Sequence, residues 1–446
     1  MNWNWIFRAV WMLCLGVNDM RREMKDSGVE WIGEIPEDWK VEKLQWHLQE
    51  INKPNNPVET EYILSLNNKT GVIPYEERDN MGNKAKEDYS QYKIAYPDTL
   101  VMNSMNVIIG SVGISHYYGC ISPVYYVFKA SDKTELRYIN YVFKIERFQK
   151  NLRKYANGIL EIRLRISVHD TLRRLIPIPS YEEQCKIANF LDGQCEKLDS
   201  VIEKTKASIV EYQKLKQSII THACMNGLEN GRKMKNSEVT WLGNIPEEWH
   251  VYRIANLYQE RSESGLEDLP ILTVSINTGV SDREIADEEK NRVFVRSEDR
   301  TKYKRVYPGD LVYNMMRAWQ GAFGAVRVEG MVSPAYVVAK PKDGIEIDSR
   351  YMEALLRTSE ATEEMHRYSR GIVDFRLRLY WPEFKNIRIC LPPIEEQREI
   401  ADYIDRKNEE IDRLIKKKEQ FISELENYKK SLIYEYVTGK KEVSES

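Results

Sequence analysis

The spacing of apolar positions divides the chain into two textures, and each texture occurs twice. In the first, Ile400, Ile404, Lys407, Ile411, Leu414, Lys418, Phe421, Leu425, Tyr428 and Leu432 advance by alternating steps of four and three residues. Ile187, Leu191, Gln194, Leu198, Val201, Thr205, Ser208, Tyr212, Leu215 and Ile219 keep the same rhythm. A mean step of 3.5 residues predicts coiled-coil helices; two long helices of an ordinary bundle are the alternative. Each helix starts after prolines (Pro179; Pro392 and Pro393) with glutamates in its first turn, as a helix N-terminus prefers. Polar residues enter both seams at equivalent places, Gln194/Lys407 and Thr205/Lys418, where they set register and partner choice at some cost in stability. A helix of about 45 residues is about 65–70 Å long at 1.5 Å per residue.

The second texture mixes short β-rich runs with Gly, Pro and Asn punctuation. Tyr62 to Leu66, Thr99 to Met102 and Ser122 to Phe128 are matched by Ile271 to Val274, Leu311 to Tyr313 and Ala335 to Val338. Helical patches at Tyr138 to Leu152 and Tyr351 to His366 complete a compact α+β domain in each half.

The two halves are one pattern written twice. Residues 24–44 and 234–254 are identical at 11 of 21 positions, including Trp31/Trp241, Gly33/Gly243, Pro36/Pro246 and Trp39/Trp249. LSLNNKTGV from Leu64 answers LTVSINTGV from Leu272. Tyr96-Pro97 through Tyr125 answers Tyr307-Pro308 through Tyr336, and Gly158-Ile159 with Arg163-Leu164-Arg165 answers Gly371-Ile372 with Arg376-Leu377-Arg378. The offset drifts from 208 to 213, so insertions fall between matched segments, as loops on a shared scaffold require. The expected organisation is an extension at 1–23, a domain at 24–180, a long helix at 181–227 and a linker at 228–235. A second domain at 236–393, a second helix at 394–438 and a tail at 439–446 follow. Equivalent helices pack most simply against each other. Run antiparallel, they place the two α+β domains at opposite ends of a ruler, about a pseudo-two-fold axis.

Charge adds little at the level of the whole chain, because 66 basic and 69 acidic residues leave a formal net charge of -3. An autonomous DNA binder is usually basic, so any phosphate contacts here are local or shared with partners. Cys14, Cys120, Cys185, Cys195, Cys224 and Cys390 form no C-x-x-C pair and no zinc spacing, which fits reduced thiols in a cytoplasmic protein. Trp5 to Val17 is apolar but interrupted by Arg8 and shorter than the ~20 residues of a membrane span. It lacks a basic n-region and a cleavage site, so residues 1–23 read as a start-site extension or a short docking helix rather than a signal.

No P-loop, HExxH motif or nucleophile elbow is present. The Asn/Asp-Pro-Pro-aromatic motif of amino-methyltransferases is also missing, since Val58 follows Asn56-Pro57, and Leu391-Pro392-Pro393-Ile394 lacks the polar residue. Pro97-Asp98 suggests a nuclease acid, but its counterpart is Pro308-Gly309, and no catalytic centre is expected.

Polar loop positions supply the candidate contacts to nucleic acid. Asn67, Asn68 and Lys69 lie where a strand ends, and Ser275 and Asn277 answer them. Asn103, Ser104 and Asn106 lie in a segment answered by Asn314 and Arg317. The exchange of Asn106 for Arg317 fits two domains reading different sequences, or ordinary loop drift. Arg147, Lys150, Arg153, Lys154, Arg163, Arg165, Arg173 and Arg174 crowd a stretch with few acids, either a phosphate-facing surface or solvated helix faces; Arg376 and Arg378 answer Arg163 and Arg165. The paired tryptophans read as core rather than as base-stacking platforms.

The S-x-V-x-W-[IL]-G-x-I-P-x-x-W openings at Ser27 and Ser237 recur in order with three further segments. These are Tyr-Pro-x-x-Leu-Val followed by Ser-Pro-x-Tyr, Gly-Ile…Arg-Leu-Arg, and Pro…Glu-Glu-Gln before each helix. In these features residues 24–440 resemble the specificity subunits of type I restriction-modification systems. The resemblance implies two target-recognition domains, each reading one half of a bipartite site in double-stranded DNA, with the helices setting the spacing. It implies assembly with two methyltransferase subunits and with translocase-endonuclease subunits. S-adenosylmethionine, ATP and Mg belong to those partners, and no cofactor belongs to this chain. The alternative is a coiled-coil interaction scaffold that does not read sequence.

Overall fold

The computed structural model describes residues 22–67, 70–78, 87–157, 164–284, 302–371 and 376–443. It divides into two units: residues 1–205 with 420–446, and residues 206–419. Each unit contains one α+β head, the start of one long helix and the end of the other.

In the first head an antiparallel four-stranded sheet runs in the order Leu48–Glu50, Tyr125–Ala130, Thr99–Asn103, Val112–Ser115. The second head repeats it with Tyr258–Arg261, Tyr336–Pro341, Leu311–Asn314 and Phe323–Ala325. Alternation along the strands feeds two cores, because successive side chains point to opposite faces. Leu100, Met102 and Phe128 enter the large core, while Val101 and Val127 join Leu64, Val72, Ala95 and Ile121 on the other face. The second head sends Leu311 and Tyr313 to one side and Val312 to the other. The outer face is covered by a hairpin, Leu64–Asn67 with Gly71–Pro74, or Val274–Ser275 with Gly279–Val280. The hairpin crosses the edge strand at van der Waals limit: a Cβ on Gly113 lies 2.5 Å from Gly71 Cα, and one on Gly324 lies 2.3 Å from Val280 N. Only glycine permits that approach.

Each helical patch is two helices, Leu136–Lys144 with Glu146–Arg153, and Ser349–Leu356 with Ser359–Tyr368. Ile145 takes an extended conformation between the first pair, and the buried Thr358 caps the last helix through Oγ1 and the Ala361 amide. Trp31, Trp39 and Trp249 are buried and Trp241 packs at the core edge. Asp98 has φ 58° and its counterpart Gly309 has φ 93°. The pair therefore marks a left-handed turn, which Asp tolerates and Gly adopts freely.

The long helices span Tyr181–Asn226 and Ile394–Val437. Their seams are buried or half-buried except at Leu215, 48% exposed, and its counterpart Tyr428, 37% exposed. An α-helix has 3.6 residues per turn, so a strict heptad drifts ~20° per repeat. By the far end of each helix the contact stripe has moved on one residue, to Lys216 and Lys429. Met234–Asn236, at the end of the expected linker, pairs with Asn244–Pro246 as the first strand of the second head. Among the described residues no helix is long and apolar enough to cross a membrane, and no cluster of His, Cys, Asp and Glu could hold a metal ion.

Candidate nucleic-acid interface

The strand Thr99–Asn103 ends in a turn that the second head copies bond for bond. Asn103 Oδ1 accepts from the Met105 amide at 3.0 Å, and Asn314 Oδ1 accepts from the Met316 amide at 3.0 Å. The amide of Asn106 donates to Asn103 O at 3.1 Å, and that of Arg317 donates to Asn314 O at 3.0 Å. A single 3₁₀ turn follows, Val107–Ile109 or Ala318–Gln320, and closes on Gly110 or Gly321 in the left-handed region. Asn103 and Ser104 are buried and build this scaffold rather than project from it. Asn106 and Arg317 are exposed.

The arginine segments are laid against the same turn. Ile166 N donates to Ser104 O at 3.1 Å, and Leu379 N donates to Met315 O at 2.9 Å. Arg165 and Arg378, the preceding residues, are exposed and paired through their backbones with Asn157 and Arg370. Arg376 is exposed as well. The hairpin residues serve their own turn: Asn67 Oδ1 accepts from Thr70 N at 3.4 Å, and Ser275 Oγ accepts from the amides of Asn277 and Thr278 at 3.1 and 3.3 Å. Asn277 is exposed. In the second head the half-buried Tyr336 phenol is pushed up by desolvation, against the opposing pulls of the Val274 backbone and the Arg317 guanidinium. Asn68, Lys69 and Arg163 lie outside the described residues.

The basic crowd is partly spoken for. Arg147 stacks 4.7 Å from the Tyr434 ring, Arg174 lies 3.3 Å from the Tyr155 ring, Lys150 pairs with Glu146 and Lys154 with Glu30. The second head has Glu360 and Glu363 where the first has Arg147 and Lys150. One basic pair that the sequence reading passed over is duplicated. Lys93 donates to Tyr125 O at 3.3 Å and Lys304 to Tyr336 O at 2.7 Å, beside the turn. Partial burial holds the Lys304 ammonium below its ordinary range. Its signal was a lysine recurring at offset 211, the offset of the flanking motifs.

No protein-family model matches the chain. Over 438 residues it is 25% identical to the type I restriction enzyme MjaVIII specificity subunit of Methanocaldococcus jannaschii, covering 91% of this chain and 93% of that protein. It is 23% identical to the putative MjaX specificity subunit of the same organism, covering 92% and 95%. These relatives are type I specificity subunits. Solved structures from type I restriction-modification systems share the fold. A chain from a study of assembly and conformational transition in a type I R-M system superposes with a TM-score of 0.63 at 13% identity, covering 90% of this chain and 98% of that one. The HsdS subunit from Thermoanaerobacter tengcongensis does so with a TM-score of 0.50 at 15% identity, covering 91% and 98%.

In this specificity-subunit fold the Glu-Glu-Gln motif ties each head to its helix. Gln184 Oε1 accepts from Glu135 N at 3.0 Å and its Nε2 donates to Pro179 O at 3.1 Å. Gln397 does the same with Asp348 N at 3.0 Å and Pro392 O at 2.8 Å. Trp39 Nε1 donates to Glu183 Oε2 at 3.0 Å, and Arg22 pairs with the same carboxylate. Sequence reasoning assigned these glutamates to the helix dipole alone. The end of the other helix is held too, for the Tyr138 hydroxyl lies 2.9 Å from Val437 O and the Tyr351 hydroxyl 3.1 Å from Cys224 O.

Proposed function

We propose that this chain is the non-catalytic subunit that selects the DNA target of a type I restriction-modification complex. Each α+β head reads one half of a bipartite duplex site. The long helices set the gap between the halves and dock two methyltransferase subunits. Adenine methylation with S-adenosylmethionine, and cleavage driven by ATP and Mg, belong to the partner subunits, and the complex works in the cytoplasm.

The observation that carries this reading is the duplicated turn, in which one hydrogen-bonded backbone presents different exposed side chains in the two heads. A catalytic constellation duplicated with the fold would keep its reactive residues. A reader duplicated to recognise two sequences keeps its scaffold and changes its edge. Similarity to specificity subunits along nearly the whole chain supports the same reading. Mapping methylated adenines in cells that carry the complex tests it. A gapped two-part motif is expected. Methylation that depends on this chain but follows a single continuous motif sinks the proposal, and so does methylation unchanged when the chain is removed.

A further inference from the structure

The turn after each central strand exposes the same two positions in both heads, Asn106 and Ile109 or Arg317 and Gln320, and the second head exposes Met316 besides. Each pair brackets one i to i+3 hydrogen bond, Ile109 N to Asn106 O and Gln320 N to Arg317 O, both 3.0 Å. Side chains three residues apart on a 3₁₀ turn eclipse, so each pair shares one face. Ile109 is 59% exposed, a large apolar side chain set on a rigid surface turn. Among the described residues, no hydrogen bond or ion pair occupies the side chains of Asn106, Arg317 or Gln320. The neighbours at Val107 and Ala318 are buried, which pins the turn beneath this edge.

Resting on the proposed reading of DNA, the geometry points to this edge as the base-reading element of each head, a pair of specificity-determining residues. At about 2.0 Å of rise per residue the two side chains start about 6 Å apart. That is close to two base steps of about 3.4 Å. Arg317 has the fork that pairs with guanine O6 and N7, and Gln320 has the amide that pairs with adenine N6 and N7. Asn106 makes the adenine pairing, and Ile109 supplies an apolar surface for a thymine methyl group. The second head therefore reads a half-site that contains a G·C pair. The edge of the first head reads A·T pairs only.

The test uses the full chain produced with its partner subunits in cells free of other adenine methylation, with the methylated motif read from genomic DNA. The unaltered chain yields the two half-sites; failure to find a gapped motif defeats the proposed function itself. Given that motif, Arg317→Ala and Gln320→Ala should each relax one position in the same half-site, and Asn106→Ala and Ile109→Ala should relax positions in the other. Discrimination at the relaxed base pair should fall about ten- to a hundredfold, measured by binding of the purified complex to duplexes changed one pair at a time. Should an alanine variant fail to fold, Gln320→Glu replaces it, with preference moving from adenine to cytosine at one position. A motif unchanged base for base overturns the inference while leaving the proposed function standing. A uniform drop at all sites, the signature of a phosphate contact, does the same.

Discussion

Asp199 on the first long helix accepts two hydrogen bonds from Lys429 on the second, at 2.6 and 2.7 Å. In the other unit Asp412 accepts both bonds of Lys216 at 2.8 Å, and each residue is the repeat counterpart of its opposite number at an offset of 213. From Asp199 to Lys216 is 17 residues along one helix, and from Asp412 to Lys429 is 17 along the other, so the antiparallel register is the same in both units. These pairs are largely exposed, and solvent screening limits each to about 0.2–1 kcal/mol. Asp199→Lys should lower stability by about 1 kcal/mol, and adding Lys429→Asp should restore most of it. Urea unfolding of the four members of the cycle measures the coupling; additive losses refute it.

The Glu396 carboxylate accepts from Trp249 Nε1 at 2.9 Å and pairs with Arg232, whose side chain is only 13% exposed. Removing the acid leaves the indole donor without this acceptor and the guanidinium with only the longer pairings to Glu248 at 3.4 Å and Glu229 at 4.0 Å. Glu396→Ala should cost about 2–3 kcal/mol. Glu395→Ala, one residue away with neither contact, should cost under about 0.5 kcal/mol. Equal losses from the two variants would count against the clamp.

His47 is buried between Thr134, 2.9 Å from Nδ1, and Glu42, 3.0 Å from Nε2. Desolvation holds its pKa below the ordinary 6.5, against the opposing pull of Glu42. The unfolded chain thus binds the proton more readily than the folded one. His47 contributes stability that is present above about pH 6.5 and is lost as pH falls through the lower folded value. The second head has Leu257 at this place. His47→Leu should flatten the slope of stability between pH 7 and 5, read from melting temperatures across that range. An unaltered slope would remove His47 as its source.

Gly309 has φ 93° with open space around its Cα, so substitution there acts through the backbone alone. Gly309→Ala should cost about 1 kcal/mol. Asp98→Gly, at the equivalent left-handed turn, should be neutral or slightly stabilising. Chemical denaturation of both variants checks the pair. Loss of methylation by Asp98→Gly in a folded complex would instead reinstate Asp98 as a functional acid.

Gly324 faces Val280 N at a distance that admits no Cβ. Gly324→Ala should push the hairpin off the edge strand at about 1–3 kcal/mol. If the hairpin contributes to reading, the half-site of that head should be weakened and the other left intact, as binding to half-site duplexes would report.

The repeat, the two long helices and the α+β heads were legible in the sequence, because periodicity and turn chemistry are local. Leu100 to Met102 is uniformly apolar between Thr99 and Asn103, and the strand is buried on both faces. The site was legible only as a region. The sequence placed Asn103, Ser104 and Asn106 together, but tertiary packing decides which of them points outward. Asn103 turns inward because its side chain must satisfy the Met105 amide.

What the sequence determined by itself is that one unit of structure is used twice, with helices whose apolar stripe has a heptad period. Only the tertiary structure decided where that stripe shifts, since the drift of a 3.6-residue helix brings Lys216 and Lys429 into contact beside the exposed Leu215 and Tyr428. It also decided that Glu183 and Glu396 hold tryptophans, and that Arg147 and Arg174 are stacked on tyrosines. Contacts between residues 144 or 287 positions apart carry no local signature. They exist because packing brings distant segments within a few ångströms, where hydrogen bonds and desolvation act.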